Sequence, residues 1–227
     1  GDIPGVELLR RQLDETSLEY YEAFIREQGD GNPQLRRSLA RAYFRVGQIH
    51  IGAGESEAAY LAYEKAVGLQ EEVLSQATND TVLVGELATS LFSLSSLAFE
   101  RGNETAGLEL QQRSLKLRTL RLDGSPNDEV QLCGVAGCYN RIGLYYIGRR
   151  DRESALEQLQ QAEQLWERVL GQSPKNVEAK LGLAVTLNRT AMAWGFDQQR
   201  TQAIQLDQEA ATILESLVAE YPLVNGF

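Results

Sequence analysis

Apolar residues recur along most of the chain at intervals of three and four positions, which is the period of an amphipathic α-helix. No segment alternates apolar and polar residues long enough to predict a strand, so we expect an all-α fold of about nine helices. The pattern predicts an N-terminal helix over 6–28, followed by alternating first and second helices that form pairs. The first helices are expected near 33–52, 81–100, 129–148 and 177–195, and the second helices near 56–76, 104–122, 152–171 and 199–220.

The helix pairs repeat with a period of 48 residues and without an insertion. Three positions of the repeat, counted from Ala40, hold only small residues. These are Gly47, Ser95, Gly143 and Ala191 at the eighth position, Ala59, Gly107, Ala155 and Ala203 at the twentieth, and Ala66, Ser114, Ala162 and Ala210 at the twenty-seventh. Small residues let two helix backbones approach closely, and bulky residues at other positions fill the remaining space. The spacing therefore predicts four consecutive helical hairpins.

Two of these units resemble the tetratricopeptide repeat, whose pattern is W-x2-L-G-x2-Y followed by A-x3-F and a small residue. The matching residues are Tyr43-x2-Val46-Gly47-x2-His50 with Ala59-x3-Tyr63-x2-Ala66, and Tyr139-x2-Ile142-Gly143-x2-Tyr146 with Ala155-x3-Leu159-x2-Ala162. The family repeat has about 34 residues, so each unit here carries about 14 more, which we expect as extra turns on both helices. The resemblance implies one right-handed α-α superhelix over 1–227, with an N-terminal helical segment in 1–32 and repeats near 33–80, 81–128, 129–176 and 177–224.

In the tetratricopeptide family, defined positions of the first helices line a concave groove, and the resemblance implies ligand-binding residues at those positions. The candidates in this chain are Phe44, Arg45, Gln48, Phe92, Asn140, Arg141, Leu144, Asn188, Arg189 and Met192. Arg45, Arg141 and Arg189 share the sixth position, and arginine can bind a carboxylate or phosphate through two parallel hydrogen bonds. Asn140 and Asn188 are expected to hydrogen-bond an extended peptide backbone.

Two other interpretations of these positions remain open. The arginines of the sixth position can instead pair with glutamates of the neighbouring unit, and the apolar candidates can be buried in an enlarged hairpin core. Some tetratricopeptide domains hold a C-terminal carboxylate with lysine at the fifth position and asparagine at the ninth. This chain has Phe44 and Gln48 there, so that clamp is absent.

Charge and hydropathy exclude several classes of partner. The net charge is −10 and the pI is about 4.8, so the general attraction to nucleic acid or anionic lipid is missing. No apolar run approaches the length of a membrane helix, and no secretory signal opens the chain. We therefore expect no nucleic-acid partner, no membrane contact from this segment and a cytoplasmic location.

Few residues are suited to catalysis. His50 is the only histidine, and its repeat position is also that of Tyr146 and Trp194, so we expect it packed in the core and hydrogen-bonded. Cys133 and Cys138 lie five residues apart on one predicted helix, which prevents a disulfide and matches no zinc motif. The segment IGAGESE has no preceding strand and lacks the third glycine of a dinucleotide-binding loop. We expect no enzyme, no metal and no cofactor.

These observations favour a non-catalytic scaffold that binds a peptide or protein segment in the groove, with an acidic segment as one candidate ligand. A structural self-association module is the first alternative, and monomer and homodimer both remain open. A regulatory or sensing segment of a larger protein kinase is the second. It follows from LRRQLDETSLEYYEAFIREQ, LRRSLARAYFRVGQI and the long repeat, which are similar to C-terminal helical segments of some bacterial serine/threonine protein kinases.

Overall fold

The computed structural model describes residues 16, 20, 23, 32–76, 80–195 and 200–221. Within these ranges the chain forms eight α-helices and no strand, which confirms the all-α prediction. The helices are α1 (Pro33–Gly52), α2 (Ser56–Gln76), α3 (Thr81–Glu100), α4 (Glu104–Gly124), α5 (Glu129–Gly148), α6 (Arg152–Gln172), α7 (Val177–Trp194) and α8 (Arg200–Glu220). The ninth helix predicted over 6–28 lies outside the described residues, except for three isolated positions.

The helices keep the 48-residue period predicted from the sequence. The first helices begin at Pro33, Thr81, Glu129 and Val177, and the second helices begin at Ser56, Glu104, Arg152 and Arg200. Seven of the eight helices have 20 or 21 residues, and α7 has 18. The residues that this repeat has beyond the family length therefore extend both helices of the pair, as expected.

Each first helix begins after an asparagine or aspartate whose side chain caps it. The capping residues are Asn32, Asp80, Asp128 and Asn176. At the second of these, Asp80 Oδ1 accepts a hydrogen bond from the Leu83 backbone N–H over 2.8 Å. This bond, with help from the nearby Arg37 guanidinium, lowers the pKa of the Asp80 carboxyl. Such a cap satisfies backbone donors that a helix start leaves without partners, so it fixes where each repeat begins.

The turn inside each of the first three hairpins uses one residue in the left-handed region. Gly54 and Gly102 both have φ of +75°, and Arg150, at the same repeat position, has φ of +58°. The next residue then donates its backbone N–H to the carbonyl five positions earlier, as Glu55 does to His50 over 2.8 Å. This geometry ends the first helix and starts the second within three residues. Glycine adopts this conformation without steric cost, whereas Arg150 adopts it at a steric cost because its Cβ atom crowds the backbone.

The chain divides into two compact units, one ending at Ser114 and the other beginning at Leu115, so the division falls within α4. The first unit is built on the predicted pairing of small and large residues. Gly47 of α1 lies against the ring of Tyr63 in α2, and a Cβ added to Gly47 would be 2.5 Å from the Tyr63 Cε1 atom. In the next repeat the Ser95 hydroxyl donates a hydrogen bond to Gln111 Oε1, so a polar contact replaces the glycine–aromatic one.

Helix α3 requires a correction to the expectation that no segment approaches a membrane span. Thr81–Glu100 has 20 residues and a mean hydropathy of 1.6 in its most apolar window, enough to cross a membrane by length and composition. Half of that window is buried inside the protein. The apolar character of α3 is thus accounted for by packing in the first unit, where Leu83, Leu91 and Leu97 are fully buried.

The second unit is packed around the indole ring of Trp166 in α6. Its core cluster contains Leu132, Cys133, Ala136, Ala162, Trp166, Val169 and Ala179. Gly182 of α7 makes room for the ring, because a Cβ there would lie 2.5 Å from two atoms of the indole. The eleventh repeat position is buried at Ala98 but less buried than predicted at Trp194, which is half-buried with the Arg152 guanidinium 4.3 Å above its ring. His50 is also half-buried, and its Nδ1 is hydrogen-bonded to Glu55 Oε2, which confirms the hydrogen bond but not a core position.

Helices α6 and α8 carry glutamates that bear on the pH dependence of stability. Burial, followed by repulsion from Glu167 and Glu209, raises the pKa of the Glu163 carboxyl. The folded state therefore holds this proton more tightly than the unfolded state, so its contribution to stability declines as pH rises from about 4.3 through the folded pKa. We expect Glu163→Gln to raise the melting temperature at pH 7 and to weaken the decline in stability above about pH 4.3.

A matched control for this prediction is Glu157→Gln, which makes the same change at an exposed position of α6. Thermal melts between pH 4 and pH 8, followed by circular dichroism, measure both variants against the parent chain. An equal gain at pH 7 from both substitutions would indicate that the general negative charge, rather than the surroundings of Glu163, limits stability.

Candidate functional site

The side chains best suited to catalysis are the histidine and the two cysteines, and each is either hydrogen-bonded or buried. His50 is hydrogen-bonded to Glu55, as described above, and both cysteines are buried and not disulfide-bonded. Burial, together with the charges of Glu178 and Glu129, raises the pKa of the Cys133 thiol to about 11, so the thiol stays protonated at neutral pH. In the described ranges, no group of three or more histidine, cysteine, aspartate or glutamate residues could hold a metal ion.

In the first unit, arginines of α1 reach acidic residues of the next first helix. Arg37 donates to Asp80 Oδ2 over 2.7 Å and to Glu86 Oε2 over 3.3 Å, and Arg41 Nε donates to Glu86 Oε1 over 2.9 Å. Pairing between arginines and glutamates of neighbouring repeats was one of the open interpretations for the sixth position. The structure shows such pairing for Arg37 and Arg41, which occupy other repeat positions. The charges of these two arginines are paired inside the first unit.

The predicted site residues of the first unit divide between core and surface. Phe44 is half-buried, with its ring centroid 5.3 Å from that of Tyr63, and it packs against the hairpin core. Phe92 is also half-buried, whereas Arg45 and Gln48 are exposed. The interpretation that apolar candidates belong to the hairpin core therefore applies to Phe44.

In the second unit, two predicted residues are brought into direct contact. The Nη1 group of Arg189 in α7 donates to Asn140 Oδ1 over 2.8 Å and to the Asn140 backbone oxygen over 3.0 Å. Asn140 lies on α5 and is only 5% exposed, so its amide is committed to orienting Arg189. Asn188 is exposed and donates to Asp207 Oδ1 over 3.0 Å. Both asparagines expected to meet a peptide backbone thus make internal hydrogen bonds.

The charge around Arg189 is not balanced locally. Among the described residues, no carboxylate is paired with Arg189, and its hydrogen bonds go to the two neutral oxygens of Asn140. Burial, followed by repulsion from Arg141, lowers the pKa of the Arg189 guanidinium to about 10. The guanidinium stays charged at neutral pH. Arg141, which follows Asn140 on α5, is half-buried and adds a second positive charge nearby.

Two apolar candidates lie one turn beyond these arginines. Leu144 follows Arg141 on α5 and is half-buried, and Met192 follows Arg189 on α7 and is 47% exposed. We call Arg141, Leu144, Arg189 and Met192 the α5–α7 face. This face places cationic and apolar side chains next to each other on two helices that contact one another.

Sequence reasoning identified the arginines but missed how they are held. Two of the contacts between successive first helices join residues one period plus one position apart: Arg37 with Glu86, and Asn140 with Arg189. A search of the sequence for complementary side chains 49 residues apart would have found both pairs. The capping residues carry a comparable signal, because an asparagine or aspartate recurs every 48 residues.

The fold and this face define a helical-repeat protein whose surface combines cationic and apolar side chains. Residues 40–73 and 135–175 each match a family model of the tetratricopeptide repeat. These matches fall on the two units whose residues resemble the family most. No curated protein sequence matches the chain.

Solved structures with the same fold include three of similar length. The crystal structure of MamA is 16% identical, with a TM-score of 0.52, and the match covers 96% of this chain and 98% of that one. BtubC from P. vanneervenii is 14% identical with a TM-score of 0.53, covering 93% and 92%. A putative kinesin light chain of Podosopora anserina with TPR-like repeats is 16% identical with a TM-score of 0.52, covering 93% and 92%. These likenesses confirm the predicted tetratricopeptide-type fold.

Proposed function

We propose that this chain is a non-catalytic interaction module that binds a segment of a partner protein on the exposed faces of its first helices. The observation that carries the proposal is the α5–α7 face, where Met192 is 47% exposed beside two arginines. Exposed apolar side chains next to cationic ones are typical of protein-binding surfaces, since methionine adapts to varied partners and arginine is enriched at interfaces. The engagement of His50 and the burial of both thiols support a role other than catalysis.

The tetratricopeptide repeats support the same proposal by analogy, because stacked helical hairpins present extended binding surfaces. A single groove over 1–227 remains a prediction, and so does the extent of any bound segment. None of the matches described above is to a kinase, and the resemblance to kinase-associated segments gains no support from them.

The proposal is tested by selecting binders from a random dodecapeptide library against the purified chain and measuring their affinity for two variants. Met192→Glu places a charge on the α5–α7 face, and we expect it to weaken binding at least about tenfold, which corresponds to about 1.4 kcal/mol. Ile204→Glu is the matched control, because Ile204 is 54% exposed in the second helix α8. We expect it to leave the affinity unchanged.

The same variants distinguish binding from self-association. Light scattering of the parent chain and of both variants measures the oligomeric state at high concentration. If no peptide is enriched, and if Ile204→Glu dissociates an oligomer that Met192→Glu leaves intact, the interaction surface lies on the second helices and the proposed function is wrong.

A further inference from the structure

The Arg189 guanidinium uses only one of its three nitrogens in hydrogen bonds to the described part of the protein. A guanidinium has five N–H donors, of which two belong to Nη1. Nη1 donates both of the hydrogen bonds from Arg189 to the oxygens of Asn140, so this one nitrogen anchors the side chain. The opposite edge, formed by Nε and Nη2, retains three donors, and no described residue accepts a hydrogen bond from them.

The edge formed by Nε and Nη2 is well suited to a carboxylate. Two parallel N–H donors match the two oxygens of a carboxylate group, which gives a bidentate pair stronger than a single neutral hydrogen bond. The Arg189 edge is also pre-oriented, because Asn140 is 5% exposed and is held within α5. A ligand that pairs with this edge loses less conformational entropy than one that must first order a flexible arginine.

Electrostatics favour an anion at the same place. Arg189 is partly removed from water and is repelled by Arg141, which is why its pKa is lowered to about 10. A carboxylate placed on the Nε and Nη2 edge would relieve the repulsion and compensate for the lost hydration.

The apolar residues of the α5–α7 face add a second requirement for the ligand. Leu144 and Met192 each lie three residues beyond an arginine, and one helical turn advances about 5.4 Å. In an extended peptide, side chains two positions apart project from the same side and are separated by about 6.6 Å. If a segment runs along α7 with its acidic residue on Arg189, its residue two positions away lies near Met192.

We propose that Arg189, oriented by Asn140 and assisted by Arg141, is a carboxylate-recognition site for a partner segment that carries an acidic residue two positions from a large apolar residue. This inference rests on the proposed function, since it assigns the ligand chemistry of the α5–α7 face. Asn140 is a positioning residue, and Arg189 contacts the ligand.

The test uses fluorescein-labelled decapeptides of glycine and serine with a central Glu-Ala-Leu or Leu-Ala-Glu, and otherwise identical peptides in which glutamine replaces the glutamate. We expect the better glutamate peptide to bind the parent chain about tenfold more tightly than its glutamine counterpart, measured by fluorescence polarisation. This preference is expected to disappear in Arg189→Gln and to decrease when salt is raised from 0.05 to 0.5 M, because screening weakens charge pairs. Lys116→Gln, the same charge change at an exposed position of α4, is expected to retain the preference.

Asn140→Asp separates recognition from folding. The substitution preserves the shape of the side chain and places a carboxylate on Arg189, so we expect the melting temperature to stay the same or rise while the glutamate preference falls. A variant that merely damaged the fold would lower both. Circular dichroism melts of Asn140→Asp and Arg189→Gln accompany the binding measurements.

Several outcomes would overturn the inference. One is equal binding of glutamate and glutamine peptides to the parent chain, and another is a glutamate preference that survives Arg189→Gln. If equal binding is abolished by Met192→Glu, the proposed function stands and only the carboxylate site is wrong. A phosphoserine peptide that binds where the glutamate peptides do not would also overturn the carboxylate assignment. Failure of these and all library-selected peptides to bind would contradict the proposed function itself.

Discussion

Replacing Trp166 with alanine is expected to destabilise the second unit by about 3–5 kcal/mol. The indole ring is 3% exposed and packs on residues of α5, α6 and α7, so its removal loses buried apolar area and leaves a cavity. Gly182, which lies against the ring, has no side chain that could fill this cavity. Urea denaturation followed by circular dichroism measures the loss in the free energy of unfolding. The dependence of this free energy on urea concentration is compared between the variants.

Trp194→Ala is the matched control, since it removes the same side chain from the same unit. Trp194 is half-buried at the end of α7, and one face of its ring is covered by Arg152 rather than by core residues. We expect this variant to lose less than half of the free energy lost by Trp166→Ala. Equal losses, or a larger loss at Trp194, would mean that the eleventh repeat position is the true core position of this fold.

The two tryptophans show which part of the core the sequence could predict. The 48-residue register placed Trp194 beside Tyr146 and His50 at a position that is usually buried within one hairpin. Trp166 is buried both by its own hairpin and by the following one, where Ala179 and Gly182 of α7 lie against the ring. Short-range periodicity specifies which face of a helix is apolar, but it does not specify how deeply the next helix covers that face. The side chains that join consecutive repeats were therefore the least predictable.

Helix boundaries were predictable because they depend on residues close in the sequence. A helix begins where a side chain can accept hydrogen bonds from its first N–H groups, and this chain supplies such a residue at Asn32, Asp80, Asp128 and Asn176. Because the turns are fixed by Gly54, Gly102 and Arg150 at one repeat position, the length of the first helix is set locally. Local chemistry that repeats in register is what a single sequence reveals best.

The candidate site was predictable in position but not in chemistry. The repeat pattern placed Arg141 and Arg189 at equivalent positions, and both belong to the α5–α7 face. It also assigned Asn140 to a ligand, whereas the structure commits that amide to Arg189. The difference arises because a side chain of α5 can reach α7 only when the two helices contact each other at a particular offset. That offset depends on the packing of α6 between them, which the sequence pattern does not give.

The small residues that define the repeat give the second strong prediction. Substituting Gly47 with leucine is expected to destabilise the first unit by about 1–3 kcal/mol, because the new side chain would overlap the Tyr63 ring. The Cβ atom alone would lie 2.5 Å from the Tyr63 Cε1 atom and 2.7 Å from the Cδ1 atom. The ring cannot retreat freely, since it is 4% exposed and contacts the ring of Phe44.

Gly68→Leu makes the identical change in the middle of α2, where an added Cβ meets nothing within 4 Å. Leucine is the better helix former, so we expect this variant to gain about 0.5–1 kcal/mol. The same glycine-to-leucine substitution at two positions of the first unit should therefore change the free energy of unfolding in opposite directions, as measured by urea denaturation. If both variants gain stability, Tyr63 has moved aside at little cost, and close approach of α1 and α2 is not what requires a small residue at the eighth repeat position. If only Gly47→Leu loses stability, the glycine is required by packing across the hairpin, and the same constraint accounts for Gly143, where an added Cβ would lie 2.8 Å from Leu159.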